Sequence, residues 1–172
     1  MIMENFPAKP IRIITSIAGS DMDTLAQLVA QEISGPLGQP VKVENFGAGQ
    51  LAEQVYKAAS DGHTLLVTPQ TLWIAPLLQD VPYDPVRDFA PVTLGVTEPA
   101  VLAVHPSLPV RSVKELIALA RAHPGELNYS SGVAGSQSQL AAELFKYLAG
   151  VRINGVPYGS GSVRIDRKST RL

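Results

Sequence analysis

An α/β fold built as two lobes is predicted by three features of this sequence. Short apolar runs rich in β-branched residues alternate with single helical segments, small Gly/Ser loops follow two of those runs, and no repeat of solenoid or propeller period is present. Strands separated by single helices imply βαβ units, so the sheets are expected to be mostly parallel, with ligands at the carboxyl ends of strands. The 172 residues, 45% of them hydrophobic, suffice for one ordinary domain or two small lobes.

The elements follow in order. Ile11 to Thr15 reads as a buried strand, and Leu25, Leu28, Val29 and Ile33 recur at helical spacing on one face. Ser20 or Asp21 is placed to cap that helix, Asp23 lies in its first turn where the dipole favours negative charge, and Gly35 and Gly38 end it. Val41 to Glu44 is the next strand, Gly47 to Gly49 a loop, and Leu51 to Ala59 a helix. The turn pair Asp61-Gly62 leads into a strand from Thr64 to Thr68.

Six prolines between Pro69 and Pro99 break the middle into short pieces, with a helical turn or two over Thr71 to Leu78. Val92 to Val96 and Val101 to Val104 read as strands, the second as a crossover between lobes. Ser112-Val113-Lys114-Glu115 is a capping box, followed by an apolar face of Val113, Leu116, Ile117 and Ala120. Leu127 to Tyr129 is a short strand. Leu140, Ala141, Leu144, Phe145 and Leu148 mark the next helix, and Ile153 to Val156 the last strand. Residues 1–100 are expected to form the first lobe and 101–160 the second, with 161–172 as a separate tail.

Composition excludes several functions. A net charge of -1 does not suit a nucleic-acid binder, and only the end, with Arg164, Arg167, Lys168 and Arg171, is basic, as a solvated tail would be. The chain has no cysteine, so disulfides and thiolate metal sites are out. No apolar run approaches membrane-spanning length, and the start at Met1 to Pro7 has neither the cationic region nor the apolar core of a signal peptide.

Chemistry is expected at two loops. Asn128 to Ser138 is small and polar and opens a helix, which points free backbone N–H groups outward as an anion site. Ala18-Gly19-Ser20-Asp21 is a cruder loop of the same kind. Two such loops facing each other would suit a dicarboxylate. The plainer reading of the first is a flexible connector capped by Ser136 with Gln139. His63, His105 and His123 lack metal-ligand spacing and suit surface or turn roles. No Gly-Lys-Ser/Thr makes a phosphate loop, and no Gly-x-Ser-x-Gly elbow marks a hydrolase. Trp73 and Tyr83 suit packing, and helix capping accounts for Asp21 and Asp23 without Mg²⁺ or acid–base work.

A series of motifs carries a resemblance. Lys9-Pro10-Ile11-Arg12-Ile13-Ile14, Asp23-Thr24-Leu25-Ala26, Leu37-Gly38-Gln39-Pro40-Val41 with Val43-Glu44-Asn45, Asp61-Gly62-His63-Thr64-Leu65 and Tyr83-Asp84-Pro85 with Arg87-Asp88-Phe89-Ala90-Pro91-Val92 occur in order. Val104-His105-Pro106-Ser107, Ser112 to Leu116, Pro124-Gly125 with Leu127-Asn128-Tyr129, Glu143-Leu144-Phe145 and Val156-Pro157-Tyr158 continue it. From about Phe6 to Tyr158 the chain resembles the solute-binding receptors of tripartite tricarboxylate transporters, the Bug or TctC family.

The resemblance implies a type II periplasmic binding-protein fold whose two α/β lobes close on a small carboxylate or amino acid, and delivery to membrane transporter subunits. It implies a periplasmic location, a binding role without catalysis, and no cofactor or metal. Carried across, the ligand-binding residues are Ala18, Gly19, Ser20 and Asp23 in the first lobe, and Ser130, Ser131, Gly135, Ser136 and Ser138 in the second. The first loop lacks one glycine and one residue of the family pattern, so Ser20 is expected to strain a backbone position of positive φ. The loop at Asn45 to Gln50 lacks a Pro and a Gly, and Gln139 stands where His is frequent. Residues 161–172 match nothing in the family pattern, so the chain reads as a receptor with its C-terminal part missing, exposing apolar surface and of low solubility. Two alternatives remain: a non-binding remnant of such a receptor, and an α/β enzyme acting on a small organic acid, for which the sequence offers no nucleophile or base.

Overall fold

The computed structural model describes residues 6–47, 49–132 and 134–157. The expected tail at 161–172 and the amino-terminal start lie outside the described residues, as do Ala48, Val133 and Tyr158. The chain divides into two compact units, Met1–Val96 and Thr97–Leu172.

The first unit is a three-stranded parallel sheet of β1 (Ile11–Thr15), β2 (Val41–Asn45) and β3 (Thr64–Leu66), in the order β2-β1-β3. The central position explains the sequence of β1: Ile11, Ile13, Ile14 and Thr15 are all buried, with residues of both faces covered, and only Arg12 stays exposed. Register sets Thr15 opposite Asn45, so the carboxyl ends of β1 and β2 lie side by side.

Helix α1 (Asp21–Leu37) connects β1 to β2. It buries Ala26 and Ala30 against Ile13, with Val29, Val41, Val43, Leu65 and Val67 around them. Small residues form this contact, so Leu28, expected on the buried face, is instead 56% exposed. The helix runs through Gly35 and Pro36 and stops at Gly38, whose φ of 64° supplies the left-handed cap. Helix α2 (Leu51–Tyr56) is shorter than the sequence suggests and packs by Leu51 and Ala52. Helix α3 spans Thr71–Leu78, as read from the sequence.

His63, expected on the surface or in a turn, is a turn residue that is 6% exposed. Its Nε2 accepts from the Ala8 N–H at 3.2 Å, its Nδ1 lies 3.1 Å from the Asp61 carbonyl, and the Phe6 ring packs on it at 4.8 Å. An acceptor Nε2 places the ring proton on Nδ1. The imidazole therefore ties the segment before β1 to the turn before β3.

The second unit pairs β4 (Asn128–Ser131) with β5 (Asn154–Pro157) in parallel. Helix α4 (Val113–Ala122) is capped by Ser112, whose Oγ accepts from the Glu115 N–H at 3.2 Å. Helix α5 (Gln137–Ala149) links the two strands. The core gathers Leu116 and Ala120 of α4, Leu127, Ala149 and Val151, with Phe145 and Ile153 packed on it. Arg121 Nη2 reaches the Ala149 carbonyl at 2.7 Å and satisfies the end of α5. Leu144 and Leu148, whose spacing marks this helix in the sequence, are 57% and 74% exposed.

The two strands expected at Val92 to Val96 and Val101 to Val104 do not form. A strand needs a partner for its backbone as well as β-branched side chains. Val92 and Val101 are 82% and 84% exposed, and neither described sheet extends to them.

Candidate functional site

Both Gly/Ser loops are built by the same local device. After β1 the chain turns at Gly19, with φ +79°, and Ser20 then caps α1. Ser20 Oγ accepts from the Asp23 N–H at 3.2 Å and pairs with Ser16 Oγ at 2.6 Å, while Asp23 Oδ2 reaches back to the Gly19 N–H at 2.8 Å. After β4 the turn falls at Gly135, with φ +77°, and Ser136 caps α5. Gln139 Oε1 reaches back to the Gly135 N–H at 2.7 Å, as Asp23 does to Gly19. In each case a side chain at the third helical position fixes the residue before the cap, a one-residue displacement of the usual capping box.

The sequence expectation of strain at Ser20 is not met. Ser20 has φ -79° and ψ 165°, ordinary extended geometry for a cap. The left-handed position falls on Gly19, the one glycine kept in this loop, and no non-glycine residue has positive φ among the described residues.

Within the first unit, Ala18, Gly19, Ser20 and Asp23 are contiguous at the carboxyl end of β1, with Ala18 and Gly19 exposed. Asp23 is 8% exposed, and its carboxylate is committed to the loop. Asn45 Nδ2 donates to Asp23 Oδ1 at 2.7 Å and to the Ser16 carbonyl at 2.7 Å. The Asn45 amide, then the Gly19 N–H, hold the Asp23 carboxyl below its ordinary range, with Gln27 adding to the same effect against the opposing burial. Asn45 was not among the sequence candidates. Its signal was its place at the carboxyl end of the second strand, beside the first loop.

Within the second unit, Ser130 lies in β4 opposite Val156, and Ser131 is 4% exposed with its Oγ donating to the Gly132 carbonyl at 3.2 Å. Ser138 Oγ accepts from the Gly132 N–H at 3.0 Å and lies 3.3 Å from Ser136 Oγ. A Cβ at Gly132 would come within 2.9 Å of Ser136 Oγ, so this position needs glycine for the loop to lie against its own cap. Ser136, Ser138 and Gly135 are thereby gathered at the start of α5, while Ser131 is turned into the protein.

The electrostatics of the loops differ. The first carries the Asp23 carboxylate beside Gly19, whereas Gln139 gives the second its backbone acceptor without a charge. A positive helix terminus with neutral hydroxyls and N–H groups suits an anion, and it needs neither a cationic clamp nor a metal to do so. Among the described residues, no helix is long and apolar enough to cross a membrane.

Comparison with known proteins identifies the family to which this sequence is similar. Residues 25–168 match the model of the TctC family, the tripartite tricarboxylate transporter family receptor. The chain is 36% identical over 171 residues to Protein BugT of Bordetella pertussis, covering 95% of this chain and 52% of that protein. Among solved structures it is similar to R. palustris Rpa4515 with adipate, at 33% identity and a TM-score of 0.68, covering 89% of this chain and 53% of that one. MatC from Rhodopseudomonas palustris with bound malate is similar at 31% identity and a TM-score of 0.68, covering 89% and 54%. The chain spans about half the length of the relatives it matches.

Proposed function

Because the chain belongs to the TctC family of tripartite tricarboxylate transporter receptors, we propose that it carries the carboxylate-binding loops of such a receptor and captures a small organic acid or amino acid for membrane transporter subunits outside the cytoplasmic membrane. The observation that carries this reading is the start of α5, where the Ser136 and Ser138 hydroxyls are gathered beside a left-handed Gly135 whose N–H is held by the neutral Gln139 amide. That donor set favours one carboxylate group through hydrogen bonds and bridging water. In the first unit, Ala18, Gly19 and Ser20 supply the corresponding loop, with Asp23 holding it in shape. Adipate and malate, the acids bound by two of the similar proteins, are the natural first probes.

Isothermal titration of the chain with a panel of mono- and dicarboxylates and acidic amino acids tests the reading. Saturable binding to at least one member is expected, and silence across the panel overturns it. A second reading, that capture needs the part the relatives have in addition, is favoured by the exposed, unpaired Val92, Leu94, Val101 and Leu102. Binding by this chain alone would remove that reading.

A further inference from the structure

We propose that Asn45 is the positioning residue of the first loop, the group that fixes where Gly19 and Ser20 present themselves to a ligand. The inference rests on the reading of that loop as a carboxylate cradle. Three elements meet at Asn45: the ends of β1 and β2 and the start of α1. It is the last residue of β2, it lies opposite Thr15 at the end of β1, and its amide touches both the loop and the start of α1.

The chemistry singles out an amide. Both partners, the Ser16 carbonyl and Asp23 Oδ1, are acceptors at 2.7 Å, so the group between them must donate twice from one atom. A primary amide nitrogen does so with its two hydrogens while remaining neutral. A carboxylate donates nothing, a hydroxyl donates once, and an ammonium on a long flexible stem would add a charge beside the proposed ligand. The two partners therefore also fix the orientation of the Asn45 amide.

The bonds act in series. The Asn45 contact to Oδ1 holds the Asp23 carboxylate, whose Oδ2 in turn holds the Gly19 N–H at 2.8 Å. Its other hydrogen holds Ser16, whose Oγ pairs with Ser20 Oγ. Loss of the amide thus releases both flanks of the Ala18–Gly19 turn, although Asn45 itself is at no point part of it. The charged neighbours leave this device alone. Arg12 and Glu44 pair with each other from positions that alternate to the other face of the sheet, and Asp21 lies in the same helical turn as Asp23 without bonding to Asn45.

Asn45→Asp is the decisive variant, because it keeps the shape and sets two carboxylates face to face. They can share a proton at low pH but not at neutral pH. With adipate and malate as probes, whose own carboxylates begin to protonate toward pH 5.5, the variant is read against the natural chain at each pH: it is expected to bind about tenfold or more weaker at pH 8 and to recover part of that ratio at pH 5.5. Amide exchange at Gly19 supplies a readout free of ligand: its protection falls in the variant at pH 8 and returns at pH 5.5. Natural affinity and natural Gly19 protection in Asn45→Asp at pH 8 overturn the proposal. If the natural chain binds neither probe, exchange alone decides: lost protection supports positioning while counting against the carboxylate reading, and unchanged protection rejects it. Should Asn45→Asp not fold, Asn45→Ser is measured in the same way, with loss but no recovery at low pH as the supporting result and natural Gly19 protection as the overturning one.

Discussion

The N–H of Gly19 donates to Asp23 Oδ2 at 2.8 Å, closing a ring that holds a left-handed glycine against the first turn of a helix. Gly135 and Gln139 repeat the arrangement in the second unit with a neutral acceptor. One geometry thus occurs in two electrostatic versions, and the difference is open to test.

Gly19→Ala and Gly135→Ala isolate the backbone term. A Cβ on Gly19 would meet nothing within 4 Å, so the cost there comes from the positive φ alone. Each variant is expected to lose about 1–2 kcal/mol of stability in urea denaturation, and a carboxylate bound at that loop should bind less tightly. A neutral result for both would show that these turns relax freely.

Gln139→Glu places a charge in the second loop without removing the acceptor for Gly135. Negative charge in the first turn of α5 should leave stability unchanged or raise it by about 0.5 kcal/mol. Carboxylate affinity should fall by about tenfold through like-charge repulsion at an effective dielectric suited to a surface site. Stability from denaturation and affinity from calorimetry would then move apart, which simple misfolding cannot produce.

Asp61 reports on the segment before β1. Lys9 first, and then the His63 backbone N–H, draw its carboxyl down from 3.8 to about 2. A depressed folded value means that this contribution is fully present above pH 4 and is lost as pH falls from about 4 through about 2. Asp61→Asn should therefore melt at a lower temperature than the natural chain at pH 7, and the gap should close toward pH 2. A gap that persists at pH 2 would assign the effect to something other than this charge.

Tyr129 gives the opposite sign at the alkaline end. Burial, and then the bond from its hydroxyl to Glu143 Oε1 at 2.5 Å, push its phenol up to about 12. Stability from the neutral phenol is fully present below pH 10 and is lost as pH rises from about 10 through about 12. Ultraviolet titration of the natural chain against Tyr129→Phe should show one late-titrating tyrosine disappear, and Glu143→Gln should bring it to lower pH.

Much of the fold was legible because local rules and tertiary structure agree there. Ile11 to Thr15 forms the central strand its apolar run implies, Ser20, Ser112 and Ser136 all cap helices, and Thr71 to Leu78 is helical despite Pro76. The misses share a cause: each depended on a neighbour that periodicity cannot name. Val92 to Val96 has strand composition but no partner strand among the described residues, and Leu28 gave way to Ala26 and Ala30 because close helix–sheet contact favours small residues. At the loops, sequence gave the residues at both helix starts. It did not give Asn45, because a donor that works from the end of another strand leaves no mark in the spacing of the loop itself.

Every described strand pairing lies within one unit: β1 with β2 and β3 in the first, β4 with β5 in the second. Each described pairing therefore draws both of its strands from the same unit. In kinetic terms the loop-closure cost of each described sheet falls inside its own unit, but the parallel pairings join residues as far apart as Arg12 and Thr64, a topology slower to close than a helical bundle. All of the strands that pair in the amino-terminal unit among the described residues are present by Leu66, so this sheet can begin to form while the rest is still leaving the ribosome.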